Sequence, residues 1–262
     1  QGADSTNSFA VADVDGDGID ELCPGAFAVN PWKDMVSSPG VGHGDRFTYT
    51  DIDPERPGME AYGIQQSDLL GQLIWDAATG ERVKEWYLSS VFDVGRGVCC
   101  DVDSTRLGLE NYSFVSDYIY DCHGKKTDVK RPYPQEPIWW DGDLMREALS
   151  QIGGNGRGSN MIVAKLPNSS RFINFGSESS WAVHGQTGSR PGFWGDIFGD
   201  WREEVILFIQ NDNTSTGIAG YATELTSDKT ITALYEDGHY RGDCSARGYY
   251  QSPNTSFYLA TG

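Results

Sequence analysis

Four clusters of acidic residues in this chain follow one template that could bind a metal ion. Each begins with an aspartate at the end of a short apolar segment, passes through a turn and returns a carboxylate about seven to nine residues later. The clusters read Asp13-Val-Asp15-Gly-Asp17-Gly-Ile-Asp20-Glu21, Asp51-Ile-Asp53-Pro-Glu-Arg-Pro-Gly58-Met-Glu60, Asp101-Val-Asp103-Ser-Thr-Arg-Leu-Gly108-Leu-Glu110 and Asp196-Ile-Phe-Gly-Asp200-Trp-Arg-Glu203-Glu204. Crowded carboxylates repel one another unless a cation neutralises them, and Ca²⁺, a hard cation with many oxygen ligands, does this best.

We therefore expect several Ca²⁺ ions as cofactors. The expected ligands are Asp13, Asp15, Asp17, Asp20, Glu21, Asp51, Asp53, Glu60, Asp101, Asp103, Glu110, Asp196, Asp200 and Glu203. The first cluster starts like an EF-hand loop, but Pro24 stands where an EF-hand has its bidentate glutamate. The early return of the carboxylate suits a calcium loop between two β-strands. The alternative is a set of solvated acidic turns without metal, and the recurrence of the template favours the metal.

The charge of the chain excludes two classes of partner. The formal net charge is -18, from 38 acidic and 20 basic residues. A nucleic-acid-binding surface needs a basic stripe that releases counterions from phosphates, and the sequence has none. The same charge argues against an anionic membrane surface, and no apolar run reaches the roughly 18 residues of a membrane span. We expect neither nucleic acid nor a membrane as partner.

Short apolar runs predict an all-β fold. Runs such as Phe9–Ala12 and Phe47–Thr50 alternate with turns rich in Gly, Pro, Asn and Asp, and helical periodicity is almost absent. The acidic clusters start at residues 13, 51, 101 and 196, and a weaker acidic element, Trp139-Trp140-Asp141-Gly-Asp143, falls in the longest gap. A period of about 40 to 50 residues is typical of β-propeller blades, so we expect one β-propeller domain over residues 1–262 with about five to six blades.

Two features favour a secreted, extracellular glycoprotein. Four N-glycosylation sequons begin at Asn111, Asn168, Asn213 and Asn254. The five cysteines are Cys23, Cys99, Cys100, Cys122 and Cys244. They lack the sequence spacing of a zinc site, which favours disulfides and leaves one thiol free or paired outside the chain.

An ordered set of motifs across nearly the whole chain resembles polysaccharide lyase family 11, the rhamnogalacturonan lyases. The motifs are Val11-Ala-Asp-Val-Asp-Gly-Asp-Gly-Ile-Asp-Glu21, Gly42-His-Gly-Asp45, Asp51-Ile-Asp-Pro-Glu-Arg-Pro-Gly-Met-Glu60, Asp93-Val-Gly-Arg-Gly97, Ile138-Trp-Trp-Asp-Gly-Asp-Leu144, Gly199-Asp-Trp-Arg-Glu-Glu-Val-Ile206 and Thr255-Ser-Phe-Tyr-Leu259. Each motif alone is a weak signal, whereas their order and spacing together are highly specific.

The resemblance implies a Ca²⁺-rich, eight-bladed propeller preceded by a further domain. This chain would then be its incomplete C-terminal part, partnered by another fragment of the same precursor. The implied reaction is β-elimination, which cleaves the bond from rhamnose to O4 of galacturonic acid in rhamnogalacturonan I, an acidic plant cell-wall polysaccharide. Such a reaction needs a cation on the uronate carboxylate, a base for the C5 proton and a proton donor for the departing O4.

The resemblance also assigns roles to four residues. Arg96 and Arg190 would be catalytic, with Arg190 standing where the family has a lysine. His43 and Tyr250 would contact the substrate, with Tyr250 standing where the family has a sugar-binding asparagine. Because arginine holds its proton more tightly than lysine, Arg190 suits a carboxylate clamp better than a base.

Arg96 and His43 also have purely structural interpretations. Arg96 could simply neutralise the calcium loop that follows it, and His43 could orient a turn. The departures at Arg190 and Tyr250 leave open a second function, a calcium-stabilised propeller lectin that binds plant-type glycans without cleaving them. An adhesion module of integrin-like repeats would explain the aspartate loops but neither the Arg96 motif nor the one at Trp139.

Overall fold

Five antiparallel β-sheets make up the described part of the chain. The computed structural model describes residues 8–32, 34–151, 161–166, 170–175, 191–210 and 216–245, together with Thr255 and Leu259. Four sheets have four strands and the last has three, and in every sheet the strands lie in chain order. Each sheet is therefore a meander, and the expected all-β propeller is confirmed.

The strands are short, and each sheet covers about 30 to 40 residues of chain. The first sheet contains β1 (Ala10–Ala12), β2 (Glu21–Cys23), β3 (Ala28–Val29) and β4 (Met35–Ser37). The second contains β5 (Phe47–Thr50), β6 (Glu60–Ile64), β7 (Leu70–Asp76) and β8 (Arg82–Tyr87). The third contains β9 (Gly97–Cys100), β10 (Glu110–Ser113), β11 (Tyr118–Tyr120) and β12 (Lys126–Lys130). The fourth contains β13 (Glu136–Ile138), β14 (Glu147–Gln151), β15 (Met161–Lys165) and β16 (Ser170–Asn174), and the fifth contains β17 (Phe193–Gly195), β18 (Glu204–Gln210) and β19 (Thr216–Tyr221).

Helix is confined to the end of the described chain. A 3-10 turn at Leu234–Glu236 leads into α1 (Gly238–Ser245), whose buried residues include Tyr240 and Cys244. Among the described residues, no helix has the length and apolar character that crossing a membrane requires.

The sheets pack face to face around their first strands. β1 contacts β5, β5 contacts β9, and β9 contacts β13, so these strands surround a common centre. Hydrophobic clusters fill the spaces between neighbouring sheets. Between the first two sheets, Trp75 meets Phe47 and Tyr49 edge to face, with ring centroids 6.1 and 5.8 Å apart, and packs against Ala12 and Ala28. Large rings from one sheet thus occupy space left by small residues of the next.

A buried ion pair crosses the centre between the second and fourth sheets. Arg46, just before β5, and Glu136, the first residue of β13, are 2 % and 1 % exposed. The two guanidinium nitrogens of Arg46 donate to the two carboxylate oxygens of Glu136, at 3.1 Å from Nη1 and 2.5 Å from Nη2. Nη1 also donates to the carbonyl oxygen of Gln135. A two-pronged pair of this kind holds sheets that are 90 residues apart in the chain in a fixed orientation.

The predicted disulfides are wrong. No disulfide joins any two of the five cysteines, and all five are buried. Cys99 and Cys100 are consecutive in β9, so their side chains point to opposite faces of the sheet, and each packs into a different hydrophobic cluster. The thiols thus act as small apolar side chains in the core.

The first glycosylation sequon is also buried. Asn111 is fully buried in β10, where its side-chain oxygen accepts a hydrogen bond from Gln72 at 3.2 Å and its nitrogen donates to the Asp121 carbonyl at 3.3 Å. An asparagine used in this way is not available for glycosylation in the folded chain. The other three sequon asparagines lie outside the described residues.

Candidate functional site

A buried glutamate closes the acidic loop between the first and second strands of every sheet. It is the first residue of the second strand and is at most 3 % exposed. These glutamates are Glu21, Glu60, Glu110, Glu147 and Glu204. Each accepts a hydrogen bond from at least one backbone N–H group of its own loop. A buried carboxylate that accepts backbone N–H groups fixes the loop, so the acidic template has a structural role in all five sheets.

The fifth sheet shows which of two adjacent glutamates has this role. Glu204 accepts hydrogen bonds from the backbone N–H groups of Ile197 and Phe198 at 2.8 and 3.0 Å. Glu203, which the sequence analysis placed among the metal ligands, instead accepts from the Trp139 backbone at 3.1 Å and from the Tyr240 hydroxyl at 2.7 Å. Because neighbouring residues at a strand start point to opposite sides, Glu203 joins the fourth and fifth sheets, and Glu204 is the carboxylate that returns to the loop.

The first loop brings three carboxylates together without a basic partner among the described residues. Oxygens of Asp13, Asp15 and Asp17 lie within 4.8 Å of one another. Asp13 accepts backbone N–H groups from three loop residues, at 2.9 to 3.0 Å. No lysine or arginine in the described ranges forms an ion pair with any of the three. An open cleft of about 270 Å³ beside this loop is also lined by Asp51 and Asp76 of the second sheet. This arrangement suits a divalent cation with oxygen ligands.

An arginine from the loop itself supplies positive charge in three other loops. The carboxylate closest to it belongs to the same loop. The pairs are Arg56 with Glu60 at 3.1 Å, Arg106 with Asp103 at 2.9 Å and Arg202 with Asp200 at 2.5 Å. The carboxylate trios predicted in these loops do not converge as closely as the trio of the first loop, within the described part of the chain.

The third loop nevertheless keeps two buried oxygens for which the described part of the chain offers no hydrogen-bond partner. They are Oδ1 of Asp101 and Oε1 of Glu110, in side chains that are 6 % and 1 % exposed. Burial raises the pKa of Asp101 to about 6 and, with the nearby Asp101 charge adding to it, that of Glu110 to about 8. Two buried oxygens without donors fit a cation that would ligate both and favour their ionised forms.

The fourth loop contains its own cation. The acidic element noted in the sequence at Asp141 and Asp143 meets Glu147, and their oxygens lie within 4.8 Å of one another. Lys165 of β15 places its ammonium group against all three, at 2.5 Å from Asp141, in contact with Asp143 and at 3.4 Å from Glu147. The Lys165 ammonium therefore occupies the position that a metal ion would take in this loop.

A separate polar group lies on the opposite face of the propeller, at the ends of the sheets where the first strands begin. His43 Nε2 is 3.5 Å from Asp45 Oδ1, and the Gln66 backbone N–H donates to the His43 carbonyl at 3.3 Å. The Gln66 side chain hydrogen-bonds Asp93. Burial, followed by the negative charge of Asp45, raises the pKa of Asp93. These residues form one connected polar surface from the loop before β5 to the loop before β9.

Arg96 belongs to this face and not to the acidic loops. It immediately precedes β9, whereas the acidic loop at Asp101 follows β9, so four strand residues of roughly 3.3 Å each separate the two ends. The interpretation of Arg96 as a cap for that loop is therefore overturned. Arg96 is 7 % exposed, and its guanidinium carbon lies 5.8 Å from the centre of the Tyr133 ring. A charge buried in this way acts strongly on any anion that reaches it.

Six other residues singled out in the sequence are either outside the described residues or in the core. Arg190 and Tyr250 lie outside the described residues. The four tryptophans that could have stacked on sugar rings are at most 3 % exposed and belong to the core. They are Trp139, Trp140, Trp194 and Trp201.

Comparisons with known proteins agree over the whole chain. The family model described as "Rhamnogalacturonan lyase family 11, C-terminal domain" matches residues 1–262. Two relatives from Bacillus subtilis (strain 168) are similar: rhamnogalacturonan endolyase YesW is 33 % identical over 267 residues, and rhamnogalacturonan exolyase YesX is 32 % identical over 268. Each alignment covers 98 % of this chain, but only 40 % of YesW and 43 % of YesX. The chain thus spans about two fifths of the length of these curated relatives.

Solved structures give the same result for the fold. The crystal structure of YesW matches with a TM-score of 0.81 at 31 % identity and covers 99 % of this chain and 43 % of that one. The crystal structure of the exotype lyase YesX matches with a TM-score of 0.82 at 30 % identity and covers 99 % of this chain and 44 % of that one.

Proposed function

Since this chain belongs to rhamnogalacturonan lyase family 11, we propose that it takes part in cleaving the rhamnogalacturonan I backbone by β-elimination. The observation that carries the proposal is the polar face formed by His43, Asp45, Asp93 and Arg96. It lies opposite the acidic loops, so a polymer could approach Arg96 without meeting their negative charge.

Arg96 suits the removal of the C5 proton in such a reaction. The C5 proton of a uronate is a poor acid because it lies beside a carboxylate anion. A buried guanidinium that pairs with this carboxylate would neutralise it and stabilise the enolate-like transition state, and removing one such group typically lowers turnover about a hundredfold or more. His43 would contact a sugar from the same face. We assign the second clamp to Arg190 and a sugar contact to Tyr250, on the family resemblance alone.

Calcium is proposed as the structural cofactor of the acidic loops. The fit is best at the first and third loops. Within the described ranges, Asp13, Asp15 and Asp17 converge without a basic partner, and Asp101 and Glu110 keep buried oxygens without donors. A bound ion would neutralise these carboxylates and stabilise the folded state by mass action. The buried glutamates at the strand starts also hold these loops, because they accept hydrogen bonds from the loop backbone.

The proposed partner is an acidic plant polysaccharide, and the proposed location is outside the cell. Arg96 and Arg190 favour a uronate held by its carboxylate, so salt should weaken binding. The extracellular location now rests on where such a polymer occurs, since the disulfides expected from the sequence are not formed.

The experiment is to incubate the full natural protein with rhamnogalacturonan I and to follow the ultraviolet absorbance of the unsaturated uronate. We expect product from rhamnogalacturonan I and neither product nor binding with neutral galactan or arabinan. Binding of rhamnogalacturonan I without any unsaturated product would make the protein a lectin and contradict the lyase proposal.

A further inference from the structure

A mixed group of metal-binding side chains joins the second and third sheets beside their acidic loops. Donor atoms of Asp53, Cys122 and His123 lie within 4.8 Å of one another. Asp53 belongs to the loop after β5, whereas Cys122 and His123 lie in the turn between β11 and β12. The carboxylate of Glu55 also faces the imidazole of His123. A carboxylate, a thiol and an imidazole therefore meet at one point, and a second carboxylate lies beside the imidazole.

The distances from the imidazole to both carboxylates are close to those between ligands of a tetrahedral zinc site. His123 Nε2 lies 3.1 Å from Glu55 Oε2 and 3.6 Å from Asp53 Oδ1. Zinc bonds to nitrogen and oxygen of about 2.0 to 2.1 Å place neighbouring ligand atoms about 3.3 Å apart in a tetrahedron. Both distances lie within about 0.3 Å of that edge, so the imidazole would need little movement relative to either carboxylate.

Burial gives the group an anchored inner side and an open outer side. Cys122 is 4 % exposed and Asp53 is 8 % exposed, so their positions are fixed by the core. The side chains of His123 and Glu55 are 50 % and 66 % exposed and offer an entry path from solvent. The Cys122 thiol donates to the Leu107 carbonyl at 3.0 Å, and it would give up its proton on binding a metal.

The donor types favour zinc over calcium. Thiolate and imidazole ligands select zinc and similar transition metals, whereas calcium takes oxygen ligands only. Asp53 also stands among the expected calcium ligands. On the calcium side of this loop, Arg56 already contacts Glu60 at 3.1 Å and Asp76 at 3.8 Å, so a hard cation would compete with a guanidinium there.

We propose that Asp53, Cys122 and His123, with Glu55 as the fourth ligand, form a zinc site that links the second sheet to the third. The site is separate from the Arg96 face, because it lies at the opposite ends of the strands. Its role is structural: one ion would tie a loop of one sheet to a turn of the next. The proposal does not depend on the lyase activity.

The test uses the full natural protein, stripped of transition metals and saturated with Ca²⁺ so that the oxygen-ligand sites are filled. We expect one Zn²⁺ per chain by elemental analysis after dialysis, and a higher melting temperature in Zn²⁺. Co²⁺ in place of Zn²⁺ should give a thiolate-to-cobalt charge-transfer band. Cys122→Ser should abolish that band, and both Cys122→Ser and His123→Gln should weaken Zn²⁺ binding at least about tenfold.

His239→Gln and Cys244→Ser are the matched controls, since they remove the same residue types from α1. Both controls should bind Zn²⁺ like the unchanged protein. His123→Gln changes an exposed side chain, so its folding can be verified by an unchanged melting temperature in Ca²⁺ without Zn²⁺. A calcium-saturated protein that takes up no Zn²⁺, a Co²⁺ spectrum without a thiolate band, or Zn²⁺ binding that survives both site variants would overturn the proposal.

Discussion

Replacing Glu110 by glutamine should stabilise the calcium-free protein. Glu110 is 1 % exposed, and burial raises its pKa from 4.5 to about 8. At pH 7 the unfolded chain is ionised at this residue while the folded chain holds the proton, so folding must take up a proton. The penalty is about 1.4 kcal/mol for each pH unit above 4.5, or about 3 kcal/mol at pH 7. Glutamine carries no charge and removes this penalty.

The contribution of Glu110 to stability depends on pH. Because the pKa is raised in the folded state, the contribution of Glu110 is most favourable below pH 4.5 and is lost as the pH rises towards about 8. In chelator, Glu110→Gln should therefore raise the free energy of unfolding by about 1 to 3 kcal/mol at pH 7 and flatten its decline with pH. Urea denaturation at several pH values measures both effects.

With calcium bound, the unchanged protein should be more stable than Glu110→Gln. An ion at about one hundred times its dissociation constant stabilises the folded state by about 2.7 kcal/mol, and the glutamine variant would lose one anionic ligand for that ion. The matched control is Glu85→Gln on the exposed outer strand β8, which should change little in either buffer. If Glu110→Gln destabilises the protein equally with chelator and with calcium, the reasoning from buried charge is refuted.

Three further substitutions test contacts described above. Lys165→Met should lower the melting temperature in chelator, and added Ca²⁺ should restore it. The control, Lys130→Met on the exposed edge of β12, should show neither effect. If Ca²⁺ does not restore the melting temperature of Lys165→Met, the ammonium does not occupy a metal-ion position. Arg46→Met should lower the free energy of unfolding by about 3 to 5 kcal/mol in urea denaturation, because it leaves Glu136 buried without its cation. A loss no larger than that for breaking an exposed ion pair would refute this. Tyr240→Phe should cost about 1 to 3 kcal/mol, since the hydroxyl donates one buried hydrogen bond and accepts another, and unchanged thermal melting would argue against that role.

The blade repeat was predictable because it is local. An aspartate at a strand end and a carboxylate returning about eight residues later both belong to one β-hairpin, so their spacing is visible in the sequence. The fourth repeat was harder to recognise, since its glutamate, Glu147, returns only six residues after Asp141. Its cation is also non-local: Lys165 comes from the next strand, 18 residues beyond Glu147. A strand-start glutamate was the signal that could have found it.

Contacts between sheets could not be derived from spacing. Cys122 and Asp53 are 69 residues apart, so the absence of a zinc motif in the sequence said nothing about their proximity. The error about disulfides has the same origin, because adjacent cysteines in a strand face different sheets. Arg96 is close to an acidic loop in sequence but not in space. The strand β9 lies between them and carries the chain from one end of the sheet to the other.

Turnover of rhamnogalacturonan I by Arg96→Ala decides whether the Arg96 face is the catalytic one. Initial rates of unsaturated uronate formation would be compared for the unchanged protein, Arg96→Ala and the control Arg82→Ala on the outer strand β8, with melting temperatures alongside. We predict a fall in kcat of at least about a hundredfold for Arg96→Ala, and unchanged kcat for Arg82→Ala. Full activity in a folded Arg96→Ala protein would contradict the assignment of the Arg96 face as the catalytic one.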